Sequence, residues 1–139
     1  MAYAQEITLV ASRTDTAAVA ATNGTAITAL DLYRRGSFAL VVTASSGTWT
    51  LAVAIQAYIF GYWTDIARFA DVTANAERIL WDVGGTVGTS STIEEASQSL
   101  AITAGTKRAG PWGTQLRARY SVTFTSGTLT WTVVGVVHS

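Results

Sequence analysis

The chain has 139 residues, of which 49% are hydrophobic and 10% aromatic, and its mean hydropathy is +0.30. That length suits one domain, and that composition excludes a disordered or collagen-like chain. Nine basic residues balance nine acidic ones, so the cationic field that draws nucleic acid or an anionic membrane is missing and neither is expected as a partner.

Charged residues make up 13% of the chain where about 25% is usual, so much of the surface must be Thr, Ser, Ala and Gly. Such a surface associates readily. There is no cysteine, which removes disulfides, thiolate metal sites and cysteine nucleophiles. No apolar run approaches the roughly 18–20 residues of a membrane span. The start, Met1-Ala2-Tyr3-Ala4-Gln5-Glu6, lacks a basic region followed by an apolar one, so no secretory signal peptide is expected.

In chain order, residues 1–5 carry no apolar alternation and are expected to form an arm along a neighbouring subunit, anchored by Tyr3. Residues 6–139 show no internal boundary and read as one domain. Strands are expected at 6–10 and, after Thr22-Asn23-Gly24, at 25–30. Phe38, Leu40 and Val42 then alternate toward Ser45-Ser46-Gly47, read as a hairpin turn. The return strand places Trp49, Leu51, Val53, Ile55, Ala57 and Ile59 on one face and Thr48, Thr50, Ala52, Ala54, Gln56 and Tyr58 on the other.

Further strands are expected at 63–69, 78–83 and 99–103. The one helical signal is Thr92-Ile93-Glu94-Glu95, in which Thr92 and Glu95 match a capping box. The only proline, Pro111, lies in Ala109-Gly110-Pro111-Trp112-Gly113, a loop that feeds the clearest strand. There Leu116, Ala118, Tyr120, Val122 and Phe124 alternate with Arg117, Arg119, Ser121, Thr123 and Thr125, and after Ser126-Gly127 the pattern resumes as Leu129, Trp131 and Val133. About nine strands with little helix make an all-β protein, an antiparallel β-sandwich of jelly-roll type.

Two strings, Ser46-Gly47-Thr48-Trp49-Thr50 and Ser126-Gly127-Thr128-Leu129-Thr130, look alike. Shared turn chemistry accounts for them, since Gly tolerates positive φ and Thr favours the strand that follows. Trp49, Trp81 and Trp131 fall on apolar faces and are expected in the core, whereas Trp63 and Trp112 lie beside turns and are expected at the surface. Exposed aromatics on a sandwich stack sugars or fill a protein interface, and the interface is the stronger reading.

The residues for catalysis are sparse. His138, the single histidine, lies one residue from the C-terminus and is expected in a solvated tail. A Ser-His triad or a nitrogen and sulfur metal site therefore has no second member. Glu94 and Glu95 are adjacent and would point to opposite faces of a strand, while Asp65, Asp71, Glu77 and Asp82 sit near strand ends, where solvated roles prevail. The run Gly84-Gly85-Thr86-Val87-Gly88 lacks the Lys of a phosphate loop. No enzyme activity, metal or cofactor is expected.

Arg34-Arg35 and Arg117 with Arg119 are the densest positive groups. The latter two share a strand face, suited to clamping a carboxylate or phosphate, or more plainly to pairing with a neighbouring strand or a subunit. The outer faces Thr48, Thr50, Ala52, Ala54 and Thr128, Thr130, Thr132, Val134 carry no charge. At least one of them is expected to lie under another subunit.

Several pieces together resemble a group of small β-sandwich proteins from the structural genes of tailed bacteriophages: residues 38–56; Trp63-Thr64-Asp65-Ile66-Ala67-Arg68-Phe69; Gly110-Pro111-Trp112 before Leu116-Arg117-Ala118-Arg119-Tyr120; and the Ser126-Gly127 element. Gly113-Thr114-Gln115 departs from the pattern by separating the Gly-Pro-aromatic element from the Arg-x-Arg strand. The resemblance implies a capsid decoration, or cement, protein in the virion. Such a protein binds the major capsid protein on the outer capsid surface, self-associates as a homotrimer and stabilises the shell. A tail-tube or head-tail connector component is the alternative within that group, and a carbohydrate-binding module the alternative outside it. The interface residues expected on this reading are Met1, Ala2, Tyr3, Arg34, Arg35, Thr50, Trp63, Trp112, Arg117, Arg119 and Thr130.

Overall fold

The computed structural model describes residues 4–59, 61–84, 102–107 and 112–139. Met1, Ala2 and Tyr3, the helical signal at 92–95, residues 85–88 of the glycine run, residues 99–101 and Pro111 lie outside them. The described residues are all-β and contain no helix, as the period-two patterning requires. Seven strands form one antiparallel sheet: β1 (Ala4–Asp15), β2 (Val19–Asn23), β3 (Arg35–Ile59), β4 (Tyr62–Arg68), β5 (Glu77–Val83), β6 (Thr106–Lys107) and β7 (Leu116–His138).

Two of these strands organise the rest. β3 runs for 25 residues and β7 for 23, paired with each other along almost their whole length. The Ser-Gly segments expected to be hairpin turns are instead one shared corner. Gly47 faces Gly127, Ser46 faces Thr128 and Thr48 faces Ser126, so the two similar strings meet each other across the ladder. Both glycines have positive φ, 78° and 101°, and a Cβ on either would collide with a backbone carbonyl of the facing strand, Ser126 for Gly47 and Ser46 for Gly127. The hairpin reading is overturned: the positive-φ glycines are real, but each segment pairs with a distant strand rather than with the next residues along the chain. Two expected hairpins thus become two long strands, and the described residues hold seven strands where about nine were expected.

The corner divides the sheet into two halves. In the terminal half, residues 129–138 of β7 lie between β1 and residues 35–45 of β3, and β5 flanks β3. In the central half, residues 116–124 of β7 pair with β2 and with β3, which continues to β4 and β6. The apolar faces of both halves contribute to a single core, as a sandwich requires. The alternation at Phe38, Leu40, Val42, at Trp49 to Ala57, at Leu116 to Val122 and at Leu129 to Val133 is buried as expected. Trp131 meets Tyr120 edge-on at 5.0 Å, joining the two arms of β7. Phe38 lies across Gly135, where a Cβ would stand 2.6 Å from its ring.

The buried carboxylate where the two halves meet is paired. Asp15 accepts from the Trp131 indole N–H at 2.8 Å and holds Arg13 through both carboxylate oxygens, at 2.6 and 3.1 Å. Arg13 also donates to the Tyr120 hydroxyl and lies 5.0 Å from its ring centroid. The hydrogen bond to Asp15 raises the Arg13 pKa above its ordinary value.

Several sequence expectations are corrected here. Residues 25–30 are not a strand; Ile27 makes one isolated bridge to Leu116, and the strand in this region is β2, which includes Asn23 of the expected turn. Ile102 and Thr103, the described part of the strand expected at 99–103, are not in a strand either. His138 is no free tail: it closes β7, pairs with Ala4 and Arg35, and accepts from Arg35 Nε at 3.2 Å. Ala4 and Gln5, the end of the expected arm, pair with His138 and Val137 of the same chain.

Candidate interaction surface

The outer face of the terminal half is built from two cross-strand rows. Thr8, Val134, Ala39 and Ile79 form one row across β1, β7, β3 and β5. Glu6, Val136 and Ser37 form the next, and Trp81 completes it on β5. Trp81 is 67% exposed, Ile79 45%, Val136 42% and Val134 38%. Together with Ala39 and Ser37 these side chains line a shallow groove of about 560 Å³. Contiguous apolar exposure of this kind marks an interaction surface, unlike apolar residues scattered singly.

Trp81 was expected in the core and is, among the described residues, the most exposed large apolar one, which is a correction. β5 carries apolar residues on both faces, and Leu80 is the one that turns inward. A register shift between Gly36 and Phe38 then lets Val83 turn inward as well, so simple alternation does not settle which face of β5 is buried. Lys107 reaches this margin from β6 and donates to the Trp81 carbonyl at 2.6 Å.

The outer face of the central half is closed by the chain itself. Ala52, Ala54 and Gln56, expected on an outer surface, are buried, so residues 51–57 of β3 are covered on both sides. Arg117 Nε donates to Gln56 Oε1 at 2.8 Å, and Gln56 Nε2 donates to Asp65 Oδ1 at 2.7 Å. Asp65 Oδ2 accepts from the Ile102 amide at 3.4 Å. The Arg117 guanidinium lies 4.2 Å from the Trp63 ring centroid, and Trp63 packs against Tyr58 at 5.3 Å. Burial pushes the Arg117 pKa below its ordinary value and Arg119 adds to this, while Asp65 opposes it.

The residues singled out from sequence therefore fall into separate groups. Arg117 is buried in this network, with Nη2 making no hydrogen bond among the described residues, and Arg119 donates to Asn23 Oδ1 at 2.6 Å. Trp112 is 2% exposed, stands 6.2 Å from Phe38 and donates its indole N–H to the Tyr33 carbonyl at 2.7 Å. This corrects its reading as a surface aromatic and removes it from sugar stacking. Trp63 is half-buried beneath Arg117.

Arg34 and Arg35 are exposed at the start of β3. Thr50 and Thr130 are half-buried on the outer faces, and Thr130 Oγ1 meets Thr14 Oγ1 at 2.8 Å. The structure brings Arg117 onto Trp63 and sets Arg34 and Trp112 at one groove, but it does not gather these residues into a single site. The Ile79, Trp81, Val134 and Val136 patch was missed, apart from Val134 among the uncharged faces. Its signal was the doubly apolar β5 beside the uncharged Val134-Gly135-Val136 stretch.

For chemistry the described residues offer no group of three or more His, Asp or Glu placed to hold a metal. Asp65 and Asp15 are occupied as above, and Asp71 pairs with Arg68 at 3.0 Å.

No protein-family model matches the chain, and no curated protein matches it. Among solved structures, a chain in the structure of infectious bursal disease virus, Gx strain, is similar to this one over 100% of the present chain, with a TM-score of 0.50 and 11% identity. The likeness is one of fold. This chain spans 38% of the length of that chain.

Proposed function

We propose that this protein is a non-enzymatic structural component of a virion, a capsid decoration protein that binds the outer surface of the shell and stabilises it. The observation that carries this reading is the terminal half's outer face, an exposed apolar patch on a charge-poor protein, which marks a chain that works by assembling with others, its own copies included. The similarity in fold to a viral chain and the resemblance of the strand elements to phage structural proteins support it. The mechanism is mass action. Copies that bind assembled shells but not free capsid subunits stabilise the assembly, and several contacts per particle multiply weak ones.

The test is sedimentation of purified particles with the added protein. Saturable binding to intact shells, with a higher temperature of genome release, is the expected result. Binding at the tail or portal vertex alone would give the role to a tail or connector component. Failure to bind any particle would overturn the reading.

A further inference from the structure

We infer that the outer face of the terminal half is closed by the same face of a second copy of this chain, related by a two-fold axis parallel to the strands. This names the occupant of the face on which the proposed function rests, and three features of the face argue for it. The first is shape. An axis parallel to the strands and running between β7 and β3 keeps each cross-strand row at its own level and places β7 over β3 and β5 over β1. Val134 and Val136 then stand over Ala39 and Ser37 of the second copy, and Ile79 and Trp81 over its Thr8 and Glu6. The larger side chain of each row meets a smaller or flexible one, so two flat faces interlock in the manner of packed sheets.

The second feature is charge. The row that holds Trp81 carries Glu6 at its β1 margin, and the Lys107 ammonium lies at the β5 margin on the Trp81 carbonyl. The same rotation brings Glu6 of each copy to Lys107 of the other, twice per dimer. Glu77, further along β5, faces the bulged stretch of β1 at Ala11 and Ser12, which carries no charge. An axis across the strands would lay β1 over β1 and β5 over β5, and Glu6 would then have no lysine opposite it.

The third feature is area. Strands about 4.8 Å apart and rising about 3.3 Å per residue make a four-stranded face of roughly 600 Å². Two such faces bury roughly 1,200 Å², the lower limit for a specific, stable contact.

The experiment is sedimentation of the full chain over a range of concentrations, without particles. The wild type is expected to sediment as a dimer. Glu6→Lys and Lys107→Glu should each weaken the dimer about tenfold by setting like charges across the margin, and the double variant should recover most of the loss. Trp81→Lys, a change at an exposed position, should give a folded monomer.

A wild type that is monomeric at every concentration, or trimeric as the phage resemblance implies, overturns the inference. So does a double swap no tighter than either single one. A monomer that binds particles through Trp81 would overturn the second copy as occupant and leave the virion role standing. A dimer that binds no particle would do the reverse.

Discussion

The two halves of the sheet are made from the same two strands, yet they treat their outer faces differently. In the central half the face is closed from within, by Arg117 stacked on Trp63 and tied through Gln56 to Asp65, and by Ile102. In the terminal half the corresponding face is left open and apolar, with Trp81 at its centre of exposure. The contrast shows where the chain spends its few charges. A buried guanidinium and carboxylate are costly unless well paired, and here they help to close the outer face of the central half from within. The half whose outer face is apolar between its charged margins is the one suited to bury surface against a partner.

The largest expected effect falls where the halves meet. Trp131→Ala would remove the ring between β7's two arms and take the indole N–H from Asp15. It should cost about 3–5 kcal/mol in denaturant unfolding; a loss below about 1 kcal/mol would mean that the halves do not share this contact. Gly127→Ala comes next, because its positive φ and the facing Ser46 carbonyl both oppose a Cβ. About 2–4 kcal/mol is expected. A neutral result would show that β3 and β7 are not bent together at this pair.

How much of this was readable follows from the range of each signal. The buried faces of β7 were legible at Leu116 to Val122 and Leu129 to Val133, since period-two alternation is a property of neighbouring residues. The corner was legible only in part. A Ser-Gly with positive φ serves equally in a tight hairpin and in a paired bend, and what decides is the remote pairing of Gly47 with Gly127.

Trp112 and Trp81 exchanged their expected places for a similar reason. Trp112 sits beside turn residues, but the Tyr33 carbonyl and Phe38 provide it with a buried socket. Trp81 sits in an apolar strand whose Leu80 takes the inward position. The closure of Ala52 and Ala54 was hidden because burial of a strand's second face is a tertiary effect that alternation along β3 does not report. The patch that carries the proposed function is legible only once the register between β5, β3 and β7 is known.

Smaller effects sharpen the contrast between the faces. Asp65→Asn keeps the shape of the network but leaves Arg117 without its nearby carboxylate and turns an N–H toward the Ile102 amide. A loss of about 2–3 kcal/mol in unfolding is expected, with self-association unchanged because this face lies on the other half. Weaker association without loss of stability would mean that the central face is not sealed.

The smallest expected change in stability, and the most direct comparison of the two faces, comes from placing one lysine on each. Thr50 lies on the outer face of the central half opposite Thr123, and Thr130 on that of the terminal half between Thr14 and Ala44. Both are half-buried, and neither bears on the shared core. Thr50→Lys and Thr130→Lys should each change unfolding stability by no more than about 0.5 kcal/mol, the usual range for a surface substitution. Their effects on association should differ. A lysine at 130 stands at the corner end of the face assigned to the second copy and must be desolvated there, so the dimer should weaken about tenfold. A lysine at 50 points away from that contact and should leave the dimer unchanged. Equal weakening by the two substitutions in sedimentation would place part of the contact on the central half and remove the asymmetry between the faces.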